Sequence, residues 1–475
     1  MKIKILCAVA AILPLTQAAQ AASLLEVYQR ALQSDPLIHE AESRRLAALE
    51  ATPQARGVLF PQLSAGGQWS TSNFDGSNVE GGAGGTVAAI DTESTTESTG
   101  WQVNLSQTVF AWDQWVNLRQ AEKRVAQAEV DYELAQQDLI IRVATRYFNV
   151  LAAEDRLTSI NADRRAIARQ LEQAQQRFEV GLIAITDVQE SQAAYDQAVA
   201  NEIAAKRDLA TARELLREIT GEYVPQLAAP GDEFPLQSPD PADQASWVDL
   251  AMAQNLALVS SRFDEEIARD EIAFRRTGHY PTVQLVANVQ HSESDVTDQV
   301  RNQVTFPDLN IENDRNSISL QVNVPLFSGG VTSSRVREAV YLHRAAREQL
   351  QRVARETQRE ARDAYLGVLS EMSRVRALDQ AVSSSRTALE ATQAGFEVGT
   401  RTIVDVLNSQ FALYAAITNY YQSRYDYIFN VLRLKQAAGT LRIQDLEEVD
   451  RWLNERRPPE EVIEESDAAG EDALR

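Results

Sequence analysis

The sequence has little of the chemistry that catalytic or metal sites use. Cys7 is the only cysteine, so a Cys-based zinc site is excluded, and His39, His279, His291 and His343 are scattered without ligand spacing. There is also no plausible Ser-His-Asp grouping and no phosphate-binding glycine loop. We therefore predict a protein that is not an enzyme and that has no cofactor and no metal site.

Positive charge and long apolar runs are also scarce. The formal net charge is −22, which argues against nucleic acid or an anionic lipid surface as a partner. Beyond the N-terminal segment no apolar run approaches the roughly 18 residues of a transmembrane helix. An exported chain of this kind can still span a membrane as a β-barrel.

The N-terminus has the pattern of a secretory signal peptide. Lys2 and Lys4 precede an apolar core, Ile5 to Leu15, and Ala19-Gln20-Ala21 forms an A-x-A cleavage signal. Residues 1–22 are predicted to be this peptide, with cleavage near residues 21–22. Its removal takes Cys7 with it and changes the net charge from −22 to −24.

The rest of the chain contains an internal duplication. Phe178–Gln192 (FEVGLIAITDVQESQ) and Phe396–Gln410 (FEVGTRTIVDVLNSQ) are identical at nine of fifteen positions, at an offset of 218 residues. Flanking segments recur at nearly the same offset. The pattern predicts a first repeat at 23–222 and a second at 246–446. A proline-rich linker, 223–245, lies between them, and we expect it to cross a surface. An acidic tail, 447–475, is expected to be disordered.

Each repeat has the same predicted order of elements: a helix, a pair of strands, a very long helix and a return helix. The long helices, about 113–178 and 331–396, are rich in strong helix formers, have apolar residues at three-to-four spacing, and would each be roughly 100 Å long. The fold class predicted is therefore α+β, in duplicated halves. The remaining expected elements are first helices at 24–55 and 248–275, strands at 58–74, 100–110, 281–291 and 316–327, and return helices at 187–221 and 404–439.

The strands alternate apolar and polar residues, as membrane strands do, although amphipathic strands on a soluble core would alternate in the same way. Their connections, Asp75–Thr99 and Ser292–Arg315, are expected to be long external loops. Four strands cannot close a barrel, and an open edge cannot face hydrocarbon. If the strands lie in a membrane the chain must oligomerise, and three copies would supply twelve strands around an aqueous lumen.

These residues together resemble the TolC family of outer-membrane efflux channels. The resemblance covers about residues 23 to 446 and rests on the duplication, on VPLFSGG at Val324–Gly330, on FEVGTRTIVDVL from Phe396, and on KQAAGTL at Lys435–Leu441. It implies a homotrimer with a twelve-stranded β-barrel in outer-membrane lipid, continuous with an α-helical coiled-coil tunnel across the periplasm. It also implies a periplasmic adaptor and an inner-membrane ABC or proton-driven transporter as partners.

The resemblance also gives roles to residues of the repeated turn, which would form the closed periplasmic tip. Asp405 matches an acidic residue of the narrowest aperture, and Asn408 matches a position that is usually acidic, which predicts a less charged ring. The matching gate contacts are Thr186, Asp187, Phe396 and Arg401. Phe396 lacks the hydroxyl of the usual tyrosine and so cannot make the usual link to Asp187, which predicts a closed state that rests more on Arg401. Thr186 and Asp187 could also simply cap the return helix.

The adaptor-binding tip would comprise Val180, Gly181, Leu182, Val398, Gly399 and Thr400. The two glycines could equally be ordinary helix C-caps, and one glycine can serve both purposes. The function expected is a passive exit duct for efflux or type I secretion, opened at its tip by adaptor and pump. The alternative is a trimeric coiled-coil surface adhesin or structural protein, although an adhesin should have a one-way stalk rather than helical returns.

Overall fold

The computed structural model describes residues 21–81, 87–231, 235–301 and 304–454. Nearly all of the predicted signal peptide and the final part of the acidic tail lie outside the described residues. Within these ranges the helices are α1 Leu24–Ser34, α2 Pro36–Leu49, α3 Ala51–Gly57, α4 Trp112–Glu179, α5 Ile185–Thr220, α6 Gln244–Gln254, α7 Leu256–Arg276, α8 Val331–Glu397, α9 Ile403–Ala437 and α10 Ile443–Asp450. The strands are β1 Gln62–Gly81, β2 Val87–Phe110, β3 Ala229–Pro230, β4 Thr282–Arg301, β5 Val304–Thr305, β6 Leu309–Asn323 and β7 Leu453–Asn454.

The two very long helices are confirmed to within two residues at each end. Helix α4 has 68 residues and α8 has 67, and both are uninterrupted because Gly367 and Gly395 are the only glycines and there is no proline within them. No helix in the described part of the chain is both long enough and apolar enough to cross a membrane.

The first helix of each repeat is broken, where a single helix is predicted from the sequence. In the first repeat Asp35 ends α1, and Pro36, which has no N–H to donate, starts α2. The Asp35 carboxylate accepts a hydrogen bond from the Leu37 N–H at 2.9 Å. In the second repeat the Asn255 side chain accepts from the Leu258 N–H at 3.0 Å and so begins α7. Each break is a side-chain cap that competes with continuation of the helix.

The four long strands form one antiparallel sheet in the order β1-β2-β4-β6, with the short β5 paired to the end of β4. Strand β1 pairs with β2 from Gln62↔Ser106 to Gly81↔Val87. Strand β4 lies between β2 and β6, with Trp101↔His291 and His291↔Asp314 in register. The prediction of four sheet-forming strands per chain is confirmed.

The predicted long loops are wrong for most of their length. The segment from Asp75 to Gly81 continues β1, and Val87 to Thr99 continues β2, so the strands have 20 and 24 residues. In the second repeat, 292–301 continues β4 and 309–315 belongs to β6. Threonine is favoured in β-strands. When two polar segments pair, their backbone N–H and C=O groups form hydrogen bonds with each other instead of with water.

One face of the sheet is apolar and exposed on β6. Ile318, Leu320 and Val322 are 81%, 62% and 56% exposed, and they alternate with Ser317, Ser319 and Gln321. Their cross-strand partners on β4 are Ala287, Leu285 and Val283, so the apolar face continues onto the neighbouring strand. Side chains this apolar and this exposed mark a surface that meets something other than water.

The described chain forms two compact units, and each takes segments from both repeats. One contains residues 44–129 and 260–351, including the sheet. In this unit the Lys123 ammonium lies 2.9 Å from Asp270 and 3.1 Å from Glu266, which joins α4 to α7. The other contains residues 21–43, 130–259 and 352–454 of the described ranges and is almost entirely helical.

The helical unit contains the main hydrophobic core. Leu24, Leu139, Tyr147, Ile428 and Leu446 are buried there, from four different helices. Burial raises the pKa of the Tyr147 hydroxyl, which donates a 2.6 Å hydrogen bond to the Ala228 carbonyl. The core therefore fixes the linker between the repeats as well as the helices.

Two predictions about irregular segments need correction. The linker does not simply cross a surface, because its apolar residues pack into the core and Leu227 is only 2% exposed. Further along the linker, the Tyr427 hydroxyl donates to the Gln237 carbonyl at 2.9 Å and accepts from the Gln237 N–H at 3.0 Å. The start of the acidic tail is ordered, because α10 runs to Asp450 and its Val449 is buried. Burial of apolar residues explains both corrections, in the extended linker around Leu227 and on one face of α10, since burial outweighs an acidic or proline-rich composition.

Candidate functional site

The two repeated turns join the long helices to the return helices with the same backbone geometry. Gly181 and Gly399 have φ angles of +76° and +79°, a left-handed conformation that favours glycine. The Leu182 N–H donates to the Arg177 carbonyl and the Thr400 N–H to the Gly395 carbonyl, at 2.9 and 2.8 Å. A hydrogen bond from the residue after the glycine back to a carbonyl of the last helical turn is typical of a glycine C-cap. Gly181 and Gly399 are therefore helix C-caps in both repeats.

The predicted adaptor-binding residues lie at these turns and point apolar side chains outward. Val180, Leu182 and Val398 are 69%, 73% and 75% exposed, and an added Cβ at Gly181 or Gly399 would meet nothing within 4 Å. Thr400 differs because its hydroxyl donates to the Gly395 carbonyl at 3.0 Å. The two turns are thus open on their outer side and carry exposed branched side chains on either side of a glycine.

The start of α9 is fixed by a capping box that involves Asp405. The Thr402 N–H and hydroxyl donate to Asp405 Oδ2 at 2.9 and 3.0 Å, and the Asp405 N–H donates to the Thr402 hydroxyl oxygen at 3.2 Å. These bonds favour the ionised form and hold the pKa of the Asp405 carboxyl below its ordinary value. The helix therefore orients the carboxylate and keeps it charged.

Asp405 and Asn408 project from the side of α9 opposite its packed face. Ile403, Val406 and Gln410 are buried, whereas Asp405 is half-buried and Asn408 is exposed. At about 100° per residue the two polar positions lie roughly 150° around the helix from this buried stripe. Since residues three apart are neighbours on a helix, Asp405 and Asn408 form one short polar strip.

The first repeat begins its return helix without this cap. Ala184 occupies the position that Thr402 has in the second repeat and makes no side-chain hydrogen bond. Thr186 lies inside α5 rather than at its cap, and the capping interpretation for Thr186 is therefore wrong. Asp187 lies in the first turn of α5, where a carboxylate is favoured by the helix dipole.

Within one chain the predicted gate residues are not brought together. Among the described residues, the Arg401 guanidinium and the Asp187 carboxylate make no hydrogen bond or ion pair. The Arg401 side chain instead packs against Gly395. It can do so because glycine has no side chain: a Cβ added at Gly395 would lie 2.8 Å from Arg401 Cγ. Phe396 is half-buried, with the Arg177 guanidinium 5.1 Å above its ring centroid.

Several residues of this region were not predicted. Thr402 could have been found, since Thr followed three residues later by an acidic residue ahead of a helix is a capping signature. Arg177, Asp163 and Gln410 have no comparable local signal, because their contacts join different repeats. Away from the tip, His291, Glu312 and Asp314 bring possible metal-ligating atoms within 4.8 Å of one another as cross-strand neighbours, a grouping that their spacing in the sequence does not reveal.

Loss of the Thr402 hydroxyl is expected to shift the titration of Asp405. In wild type the lowered pKa keeps the carboxylate ionised as pH falls, and its charge is lost only when pH drops through that lowered pKa. In Thr402→Ala the pKa should rise toward 3.8, the value of an unperturbed aspartate. Conductance measured against pH should then lose its carboxylate-dependent component at a higher pH. Ser409→Ala, on the same helix, should leave this titration unchanged, and equal midpoints in T402A and wild type would contradict the role of Thr402.

Comparison with known proteins identifies the family. A profile described as outer membrane efflux protein matches residues 27–222 and 247–440. The chain belongs to the outer membrane efflux protein family. It is 37% identical over 444 residues to the outer membrane protein TolC of Vibrio cholerae, covering 94% of this chain and 97% of that one. It is 29% identical over 442 residues to the alkaline protease secretion protein AprF of Pseudomonas aeruginosa, covering 92% and 88%.

Solved structures support the fold independently. The CmeC outer membrane channel of Campylobacter jejuni superposes with a TM-score of 0.71 at 15% identity, covering 96% of this chain and 98% of that one. The outer membrane efflux protein family is also called the TolC family, so the predicted resemblance is confirmed. Membership also confirms the outer-membrane location with a periplasmic tunnel, and a passive exit duct rather than an enzyme. The duct serves efflux or type I secretion, and the adhesin alternative is set aside.

Proposed function

We propose that three copies of the chain form one channel. The observation that carries this proposal is the pair of unpaired edges in the sheet: within the described residues, β1 pairs only with β2, and β6 pairs only with β4. An open edge in hydrocarbon leaves backbone groups without partners, so β6 of one copy would pair with β1 of the next. Bacterial barrels start at about eight strands, and twelve leave an aqueous lumen.

The exposed apolar face of the sheet fits this arrangement. Ile318, Leu320 and Val322 would face outer-membrane lipid, and the alternating polar residues would face the lumen. The long helices α4 and α8 with their returns would build the coiled-coil tunnel in the periplasm. The two repeated turns would then lie at its periplasmic tip.

The tip would hold the gate and the aperture. Asp405 and Asn408, on the side of α9 away from its packed face, would line the narrowest point, where three carboxylates form a ring attractive to cations. Among the described residues the Arg401 guanidinium makes no hydrogen bond or ion pair, and we infer that Thr186 and Asp187 of a neighbouring copy supply one in the closed state. Phe396 would contribute packing instead of a hydroxyl link.

The partners proposed are a periplasmic adaptor and an energised inner-membrane transporter, of the ABC or proton-driven class. Val180, Gly181 and Leu182 of one turn and Val398, Gly399 and Thr400 of the other would receive the adaptor. Their exposed apolar side chains beside open glycines make a surface that a helical hairpin could enter closely. The names of two relatives, AprF and the proteases secretion protein PrtF of Dickeya chrysanthemi, favour a secretion pathway, whereas BepC of Brucella suis is named an efflux protein.

A planar-bilayer experiment tests this function. The purified channel should have the mass of three chains and insert as a low-conductance channel, because its tip is closed without adaptor. Arg401→Ser should raise the conductance of this closed state, since it removes the cation that holds neighbouring tips together. Arg386→Ser, an exposed charge elsewhere on α8, serves as the control. A monomer without channel activity would refute the proposal as a whole, and unchanged conductance in R401S would remove Arg401 from the gate.

A further inference from the structure

The exposed face of the sheet that carries Ile318, Leu320 and Val322 is not apolar along its whole length. Every second residue of a strand, with its cross-strand partners, lies on the same face. Beyond the apolar part, this face carries Trp101 and His291 as directly opposed neighbours and then five carboxylates. The carboxylates are those of Glu97 on β2, Glu293 and Asp295 on β4, and Glu312 and Asp314 on β6. No lysine or arginine shares the face within the paired segments 67–71, 97–101, 291–295 and 310–314.

Three of these residues bring possible metal ligands together. His291 and Asp314 are cross-strand partners, with His291 Nδ1 2.8 Å from Asp314 Oδ1. Glu312 is two residues along β6, and one ligand atom from each of the three residues lies within 4.8 Å of the others. Two ligand atoms about 2.1 Å from one ion, at right angles, are about 3.0 Å apart, so the first two fit one ion as they stand. Glu312 is exposed, and rotation of its side chain would complete the set.

His291 is the fixed member of this group. Its ring stacks on Trp101, with the ring centroids 6.0 Å apart and the planes 25° from parallel. The imidazole therefore lies between an indole on β2 and a carboxylate on β6, and its side chain is 28% exposed, against 73% for Asp314. A ligand that is already held in place loses less freedom when it binds an ion.

The charges around the group also favour a cation. Glu293 is directly opposite Glu312, and Glu97 is directly opposite Asp295. Like charges at directly opposed positions destabilise strand pairing. The Asn310 amide donates to Glu293 at 2.7 Å and so satisfies one of these carboxylates. An ion bound by Glu312 would reduce the repulsion that remains in this pair.

A simple ion pair would explain the contact between His291 and Asp314 but not the third ligand. His343 and Glu265 show what such a pair looks like in the same unit: His343 Nε2 lies 2.6 Å from Glu265 Oε1. Within the described ranges no third ligating side chain joins that pair, whereas Glu312 joins His291 and Asp314. The two histidines thus have the same immediate partner type and differ in the second carboxylate.

We propose that His291, Glu312 and Asp314 bind a divalent transition-metal ion of the Zn²⁺ type, with water at its remaining positions. An imidazole nitrogen with two carboxylates favours such an ion over Ca²⁺ or Mg²⁺, which prefer oxygen ligands. The bound ion cross-links β4 to β6, the edge strand that pairs only with β4 within the described part of the chain. All three ligands belong to one chain, so the site goes beyond the proposed function and does not require a trimer. The proposed barrel only places it at the outer end of the lipid-facing band.

Zinc binding to the purified protein tests the site. The protein carries no polyhistidine tag, is stripped with a chelator, and has the background change Asp405→Ala, so that the proposed aperture ring does not contribute. Calorimetric titration with ZnCl₂ should show one ion bound per chain. His291→Ala and Asp314→Asn should each weaken this binding roughly tenfold or more. CaCl₂ should bind roughly tenfold or more weakly than ZnCl₂. His343→Ala, which removes an imidazole paired with one carboxylate, should leave the zinc affinity unchanged.

Thermal unfolding gives a second measurement. Zinc should raise the unfolding temperature of the parent and of H343A but not that of H291A, because an ion that binds only the folded state stabilises it. Circular dichroism shows whether H291A and D314N fold, and should one fail to, the other decides. Equal zinc affinity in the parent, H291A and D314N, or no zinc binding by the parent, would overturn the site. An absence of trimers or channels would refute the proposed function instead, since zinc binding by single chains is measured in the same way.

Discussion

Asp405→Ala is expected to remove most of the preference of the channel for cations. In the proposed trimer this change deletes three carboxylates from the narrowest point, and Asn408 on the same polar strip contributes no charge to replace them. The Thr402 cap keeps Asp405 ionised in wild type, so the full effect should be present at neutral pH. Reversal potentials under a KCl gradient give the permeability ratio directly, and in D405A it should fall toward unity.

Salt concentration sharpens this test. Fixed charges act over a Debye length of about 10 Å at 0.1 M salt but only about 3 Å at 1 M, so the difference between wild type and D405A should be largest in dilute salt. Asn408→Asp should have the opposite effect and increase cation preference. Asp187→Ala changes the matching position of the first return helix. If D187A rather than D405A abolished selectivity, the aperture would belong to α5.

Gly439→Ala is expected to destabilise the helical unit by about 3 kcal/mol or more, through overpacking and a left-handed backbone. Gly439 follows α9 with φ at +74°. A Cβ there would lie 2.2 Å from the Gln254 carbonyl oxygen and 2.8 Å from the Asn255 nitrogen. Both neighbours are backbone atoms at the break between α6 and α7, where the Asn255 amide also donates to the Ala437 carbonyl at 3.0 Å. Neither atom can rotate away as a side chain would.

Gly181→Ala is the matched control, since it has the same left-handed conformation after a helix but open space around it. Gly181→Ala should lower the free energy of unfolding only by the strain of placing a side chain on a left-handed backbone, about 1–2 kcal/mol. Thermal unfolding followed by circular dichroism compares the two variants with wild type. Equal unfolding temperatures for G439A and G181A would show that the contact with Gln254 is not what makes Gly439 necessary.

Much of the fold follows from local sequence pattern. The long helices could be predicted because strong helix formers and apolar spacing persist over more than 60 residues without a proline. The strands could be predicted where apolar and polar residues alternate, as in Ser317–Val322. Their polar extensions could not, because a Ser- and Thr-rich segment has the composition of a loop, and only pairing with a distant segment of similar length makes it a strand.

The local structure of the repeated turns was predictable in a similar measure. The turns and their glycines follow from the duplicated motif, whereas the roles predicted for Asp405 and Asn408 come from the family resemblance. The contacts that involve Arg177 and Asp163 do not, since their partners are 219 and 247 residues away and a single sequence carries no record of that distance. The Thr402 cap is an intermediate case. Its capping signal is local and can be read from the sequence, but the corresponding segment of the first repeat suggests Thr186 and Asp187 as the capping residues instead.

The long paired extension of the sheet bears on how the protein could be labelled or cleaved. Composition alone would recommend residues 92–99 as an exposed loop suited to an inserted epitope or protease site. In the fold, Thr95 to Thr99 are paired on both sides, with β1 and with β4, so a protease cannot draw them into the extended, unpaired form that it cleaves. An insertion of an odd number of residues there would also move every residue of the strand beyond it to the opposite face of the sheet. This segment of the sheet is therefore more resistant to digestion, and less tolerant of tags, than its serine- and threonine-rich sequence would lead an experimenter to assume.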